Sequence, residues 1–460
     1  MLEMEIMDQE DFLALKLSIA SNQDRERKMK RTRTTEEISN YSCSAHGIPE
    51  EGKIIALLRT REAMLKMDHN ERSNGGGEGL HLIHSLLIAA ASVNENDKTS
   101  ALEHLSQLYH SVSLRGDSVQ RVAAYFTDAL LAHLLTRKSP FYDAIMKGPS
   151  PEMEFSAFTS LYKVSPFYQF AHFTANQAII GAFDREGSRA LHVLDFDICH
   201  GFQWPSLMQS LSENATPTKK ISLKITAFGG SVEEIQETES RLLSFAKGFP
   251  NLVFEFHGLV RGSKNVKMEN RKNETVAINL VFHLTSIKTL SKISEILSFV
   301  YSLKPSIVVL VEQEGTSSSN KFLPRFMEFL HQFAAIFDSL DDCLPLESDE
   351  RLSIERDHLG KEIRSVINYD RDNDENCPLF EKTETRSGRM ERRGFVGVEQ
   401  SCRAVMQAKL LLKIRSHCCP IKFDGVNGGF RVFERENGKA ISLGWQDRIL
   451  ITASSWCSGV

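Results

Sequence analysis

The sequence predicts an α/β protein: a mostly parallel sheet that ends in an antiparallel hairpin, with an α-helical cap ahead of it. Three observations carry the prediction. Residues 80–188 read as successive helices, with apolar stripes at steps of three and four; beyond residue 188, short apolar runs alternate with helical segments; and the closing strand-like runs include the Asn-Gly of an "ENGK" turn, which suits a hairpin. With 460 residues, 41% of them hydrophobic and 25% charged, the chain can bury a sizeable core.

Residues 1–79 read as a mostly disordered arm, because they are charged, poor in aromatics and end in "NERSNGGGEG", where Gly75 to Gly77 have no side chains to pack. Within the arm, the acidic and apolar "EDFLALKLSIA" suits a short helix on a partner. The stretch "RERKMKRTR" gathers Arg25, Arg27, Lys28, Lys30, Arg31 and Arg33, either a nuclear-import signal or a solvated tail. The cap follows. In "ALEHLSQLYHSVSL" Leu102, Leu105, Leu108 and Val112 recur at steps of three and four, and "LHLIHSLLIAAASV", "SVQRVAAYFTDALLAHLL" and "SPFYQFAHFTANQAIIGAF" continue as helices whose Leu and His residues read as packing.

At residue 189 the pattern changes to strands. "ALHVLDFD" is apolar on both pleat faces, as a central parallel strand covered on each side must be. "SLKITAF", "NLVFEFHGL", "VAINLVFHL" and "PSIVVLVEQE" follow. Most are separated by helical segments, one of them opened by the capping box of Ser231 and Glu234. Alternation of this kind implies right-handed crossovers in a doubly wound sheet. Two helices, "KFLPRFMEFLHQFAAIFDSL" and "ERLSIERDHLGKEIRSVI", and a charged stretch from about residue 368 to 393 precede the strands "GFRVFERENGKAISLGW" and "RILITASSWC". Five alternating strands with a terminal antiparallel hairpin make residues 189–460 a methyltransferase-like Rossmann core.

Bulk charge narrows the function. A net charge of −5 argues against coating nucleic acid by overall electrostatics, although a local basic surface remains open. The opening "MLEMEIMDQED" carries acids where a secretory signal needs cations, and no apolar run reaches the roughly 18 residues of a membrane span, so an intracellular protein without a membrane partner is expected. Eight scattered cysteines (Cys43, Cys199, Cys343, Cys377, Cys402, Cys418, Cys419 and Cys457) form no C-x-x-C pair and read as reduced thiols, the "HCC" at residues 417–419 included; no metal site is expected.

The turn after the first strand decides the enzymatic question. A nucleotide or methyl-donor site there needs closely spaced glycines, so that bare backbone can approach the ligand, and an acid at the tip of the second strand for ribose hydroxyls. The turn "DFDICHGFQWP" offers Gly201 alone, with Ile198, Cys199, His200 and Phe202 crowding it, and the second strand ends "KITAFGG" without a carboxylate. No cofactor is therefore expected. Asp195 and Asp197 share one strand face, but the sequence gives them no partnered base or ligand set; one of them is expected to fix the turn, and His192 to be a hydrogen-bonded core residue. No G-x-S-x-G elbow, P-loop or H-E-x-x-H occurs, and no catalytic residue is assigned.

These residues resemble the plant GRAS family. "LHVLDFDICHGFQWPSLMQSL", with His192, Asp195, Gly201, Trp204 and Pro205, is similar to the family's V-H-I-I-D block, and "FTANQAII" precedes it at the usual distance. "INLVFHL" resembles the opening of the second leucine-rich segment. "PSIVVLVEQEGTSSSNKFLPRFMEFLHQFAAIFDSL" is similar to the segment named for Pro, Phe-Tyr and Arg-Glu, and "LGWQDRILITASSW", with Trp445 and Trp456, to the closing Ser-Ala-Trp block. The resemblance spans about residues 80 to 457. The chain departs from the family pattern at Ser454-Ser455-Trp456, at Arg386 where a tryptophan usually stands, and at Phe333 and Ala334 where paired tyrosines do; no D-E-L-L-A segment occurs. The wording is closest to the scarecrow-like and lateral-suppressor branches.

The resemblance implies a nuclear regulator of plant gene expression without established catalysis. Members pair with one another, as homodimers or otherwise, or with other transcription factors, and some contact promoter DNA. Under a protein-contact reading, exposed members of the stripe around Leu82, Leu86, Leu87, Leu102 and Leu105 dock a partner helix. Under a DNA reading, Arg386, Arg389 and Arg393 fall within about 60° on a helix and meet phosphates, against the alternative of a solvated face paired with Glu381, Glu384 and Glu391. A third reading is an S-adenosylmethionine-dependent enzyme working near Asp197, Gly229 and Glu312.

Overall fold

A computed structural model describes residues 49–66, 79–135, 137–262, 273–287, 289–315, 321–368, 381–415 and 429–459. The basic cluster at residues 25–33, "EDFLALKLSIA" and the "HCC" of residues 417–419 lie outside them. Among the described residues no helix is long and apolar enough to cross a membrane.

The first described element is a helix, α1 (Pro49–Lys66), inside the stretch expected to be a disordered arm. Its Ile54, Leu57, Leu58, Arg61 and Met64 recur at helical spacing, and Leu57 and Met64 are buried in the main core. Arg61 grips Asp128 with two hydrogen bonds of 2.8 and 2.7 Å, and Tyr109 donates to the same carboxylate at 2.7 Å. The arm expectation fails here because a short amphipathic face gains enough from packing on a preformed cap to order the chain.

The cap continues with α2 (Gly79–Asn94), α3 (Lys98–Ser111), α4 (Ser118–Leu134), α5 (Pro140–Met146) and α6 (Pro151–Val164). Asp97, Asp117, Ser139 and Ser150 cap α3 to α6 by accepting from backbone amides. The cap is not confined to residues 80–188. Helix α11 (Phe322–Cys343) and α13 (Gly360–Ile367) return to pack against α4, and α12 (Asp349–Ser353) and a π turn (Ile354–Leu359) between them lie against α6. A buried charge cluster joins the two parts: Arg121 donates to Glu355 at 2.9 Å, Asp341 at 2.5 Å and the Gly116 carbonyl at 2.7 Å, while Arg351 donates to Asp341 at 3.1 Å.

Helix α7 (Pro166–Glu186) leaves the cap and lies on the sheet against β4, β5 and β9. The sheet order is β3-β2-β1-β4-β5-β9-β8-β7, built from β1 (Ala190–Asp195), β2 (Ile221–Gly229), β3 (Leu252–Val260), β4 (Glu274–Val281), β5 (Ile307–Gln313), β7 (Phe430–Arg435), β8 (Ala440–Trp445) and β9 (Arg448–Ser458). The first five are parallel, and β9 runs antiparallel to β5, the strand order of a methyltransferase-like Rossmann core. A short strand missed in the sequence, β6 (Phe395–Val398), pairs with the end of β9 beyond β8. Alternation along the strands separates two cores. Leu191, Val193, Ile225 and Val309 meet α7, α8 (Trp204–Glu213) and α9 (Val232–Ala246) on one face; Leu194, Ile278, Val308 and Leu310 meet α10 (Leu290–Ser302) and, through Met390, α14 (Thr383–Arg392) on the other.

Candidate functional site: the closed cleft at the strand tips

In an open α/β sheet a ligand is held beyond the C-terminal ends of the strands where the winding reverses, here between β1 and β4. The chain leaves β1 through Phe196, Asp197 and Ile198 and then turns in three successive left-handed residues, Cys199 (φ 38°), His200 (φ 61°) and Gly201 (φ 75°). Only Gly201 is free of a Cβ; one placed there would stand 2.7 Å from the Thr238 methyl of α9. That close approach to a helix, rather than to a ligand, accounts for the lone glycine.

A polar lattice fills the space under the turn. Asp195 is buried, and its carboxylate accepts from Trp204 Nε1 at 3.1 Å, Asn279 Nδ2 at 2.9 Å and the Asp197 amide at 3.3 Å. It is therefore the acid that fixes the turn. Burial pushes its pKa up to about 8 against the pull of those donors. The Asn279 and Gln203 amides bond reciprocally at 3.0 and 3.1 Å, Gln203 Nε2 reaches Asn176 Oδ1 at 3.1 Å, and Asn176 Nδ2 continues to Ser206 at 2.8 Å. One connected lattice thus ties β1, β4, the turn, α8 and α7. The sequence reading missed Asn176, Gln203 and Asn279, whose signal was three amides inside otherwise apolar runs.

Aromatic rings close the mouth above it. Phe158 of α6 packs at 4.8 Å from Tyr168, 5.4 Å from Phe202 and 5.5 Å from His200, and Tyr162 lies 5.0 Å from Phe202. Tyr168 adds Phe282 at 5.2 Å and a 3.0 Å hydrogen bond with His358 Nε2 in the π turn. Arg241 stacks 4.8 Å above Phe155 and donates to the His200 carbonyl at 3.0 Å. Burial holds His172 down to about 3 and His358 to about 4, so both are neutral rings in an apolar plug at neutral pH.

The ribose-binding position is taken as well. At the tip of β2, a Cβ on Gly229 would meet Ile235 at 2.7 Å, and the Glu234 carboxylate turns back to accept from the Gly230 amide at 2.7 Å, while Ser231 caps α9. Asp197 is engaged by Arg261. Glu312 is buried, accepts from the Leu284 amide at 2.5 Å and is pushed up to about 7 by burial. Each of Asp197, Gly229 and Glu312 is thus committed to its own local contact. S-adenosylmethionine does not fit: side chains occupy its turn and its ribose position.

The remaining predicted residues fall as follows. His192 is buried and bonds Thr226 at 2.9 Å. Pro205 stands in the first turn of α8, and the Trp445 and Trp456 indoles donate to Asp338 at 2.7 Å and Ser454 at 2.9 Å. Two expectations need correction. Leu82, Leu86, Leu102 and Leu105 are buried and Leu87 is half-buried against them, so the stripe is the inside of the cap and offers no docking face. Arg386, Arg389 and Arg393 share no phosphate-binding face. Arg386 is buried beside Glu312 and Glu314 and donates to the Glu381 carbonyl at 2.8 Å, Arg389 pairs with Glu381, and Arg393 bonds Ser294. The buried guanidinium fills the place where the family pattern has tryptophan, among carboxylates that balance it.

Comparison with known proteins agrees with this architecture. The GRAS domain family matches residues 82–457. Protein SCARECROW of Ipomoea nil is 34% identical over 88% of this chain and 50% of its own length, and that of Arabidopsis thaliana 34% over 87% and 58%. The chain therefore spans about half the length of these SCARECROW relatives, whereas Scarecrow-like protein 23 of Arabidopsis thaliana, 33% identical, is covered over 91%. The crystal structure of SCL7 from Oryza sativa superposes with a TM-score of 0.64 at 26% identity, over 82% of this chain and 99% of that one. The chain belongs to the GRAS domain family.

Proposed function

We propose that the protein is a nuclear regulator of plant transcription that works as a platform for protein contacts and not as an enzyme. The observation that supports this most is the closed cleft: the lattice of Asp195, Asn279, Gln203 and Asn176 and the rings of Phe158, Tyr168 and Phe202 stand where a methyltransferase-like core would hold its cofactor. A sheet that retains its topology but fills its cleft is a rigid body with surfaces to present. Partners are other transcription factors or GRAS proteins, with the basic cluster at residues 25–33 directing import.

The reading is tested in plant cells with the full chain fused to a fluorescent protein and scored on a reporter promoter. Nuclear fluorescence and a changed reporter output are expected, both lost when Arg25, Arg27, Lys28, Lys30, Arg31 and Arg33 become alanine. Unchanged localisation of that variant would remove the import assignment, and a silent reporter with nuclear protein would remove the regulatory one. Direct action on promoter DNA is a separate outcome: titration with random duplex at two salt concentrations would reveal it as salt-sensitive binding.

A further inference from the structure

The outer face of α15 (Cys402–Arg415) carries an apolar stripe. Met406, Leu410 and Ile414, each one helical turn from the next, are 64%, 46% and 40% exposed, while Ala404, Val405, Ala408 and Leu412 on the opposite side are buried, where α15 meets α7 and β7. Single exposed apolar residues are ordinary; three in a line on one helix form a surface that another helix can cover. The helix sequence "CRAVMQAKLLLKIR" has no acid and four cations, of which Arg403, Lys409 and Lys413 are exposed around the stripe; Lys409 also meets Glu434 at 3.2 Å. The face therefore calls for an occupant that is apolar along one line and acidic beside it.

One segment of this chain has that chemistry. Residues 1–20 hold five acids against one lysine, and at helical spacing Phe12, Leu15 and Ile19 share a face with Asp8 and Asp11. The 28 residues between Ala20 and α1 extend up to roughly 90 Å, and a body of some 400 residues measures roughly 55 Å across. The tether therefore allows the contact and raises the segment's local concentration to about millimolar. We propose that residues 8–19 dock as an acidic helix on the Met406–Leu410–Ile414 stripe of the same chain, so that any partner of α15 must first displace them. This goes beyond the regulatory reading and stands or falls independently of it.

The test replaces Met406 in the full chain by a photo-crosslinking p-benzoylphenylalanine, with the same replacement at Leu346, 55% exposed, as control. Crosslinks within one chain, independent of protein concentration, are expected to map to residues 8–19. Asp8→Lys with Asp11→Lys should cut their yield about fivefold, as the loss of two exposed ion pairs implies, and Arg403→Glu with Lys413→Glu should restore it. Crosslinks that form only between chains and grow with concentration would assign the stripe to a second copy. Crosslinks confined to residues 416–429 would assign it to the adjoining segment. Either result, or a yield no higher than at Leu346, would overturn the proposal.

Discussion

Single residues decide whether the cleft is closed. Gly201 holds φ 75° and faces the Thr238 methyl, so Gly201→Ala combines left-handed strain with a clash and should cost about 2 to 4 kcal/mol. Urea unfolding measures it, and a cost below about 0.5 kcal/mol, the scale of a neutral surface change, would show that the turn is not held as described. Asp195 gives a pH signature. Its folded pKa, about 8, lies above that of an unfolded aspartate, so the folded chain holds this proton more tightly and the associated stability is lost as pH rises toward 8. His172, His283 and His358, held at about 3, 4 and 4, act in the opposite direction only below the ordinary histidine range. Between pH 6.5 and 8 the wild type should therefore lose stability more steeply than Asp195→Asn, by up to about 1.4 kcal/mol per pH unit. Parallel slopes in guanidinium midpoints would contradict the assignment. At this scale the sequence was informative where chemistry was missing: a turn with one glycine and a strand tip without an acid already argued against a nucleotide or methyl-donor site. The amides that replace it were not legible, because Asn176 and Asn279 lie about a hundred residues apart and only the parallel β1–β4 register and the docking of α7 bring them to Gln203.

At the scale of elements, periodicity identified the helices and strands but not which surfaces they cover. The Leu102–Leu105–Leu108 stripe was visible as a stripe, yet a stripe is equally a core and a docking face until its neighbours are known. Here α1 and α4 cover it. Leu86→Ala and Leu105→Ala should accordingly destabilise the protein by about 2 to 5 kcal/mol each, as truncations of fully buried leucines do, in place of selectively weakening partner capture. A variant that captures partners poorly while its Tm is unchanged would restore the docking role. Helix α1 escaped the reading because its charged composition masks an apolar face that exists only against α3. Arg61→Ala removes two of the hydrogen bonds to Asp128, leaving that of the Tyr109 hydroxyl, and should raise hydrogen exchange across residues 49–66 toward the unprotected rate while α4 stays protected. The phosphate reading of Arg386, Arg389 and Arg393 fails for a related reason: the ion-paired alternative named Glu381, which does pair with Arg389, but a wheel of arginines says nothing of Glu312 and Glu314, which the end of β5 brings beside Arg386.

For the whole molecule, the fold class followed from the alternation of strand and helix, and the GRAS resemblance from ordered blocks spanning the chain. What the sequence did not disclose is that the cap is made of two separated segments, residues 49–164 and 322–367, joined through Arg121, Arg351, Asp341 and Glu355. Cap and sheet share one continuous hydrophobic core, with the cleft at the strand tips closed between them by the rings of Phe158, Tyr168 and Phe202. The most direct test of that claim is a calorimetric titration of the full chain with S-adenosylmethionine. A closed cleft predicts only heat of dilution; saturable one-to-one binding, abolished by a substitution at the β1 turn, would contradict it.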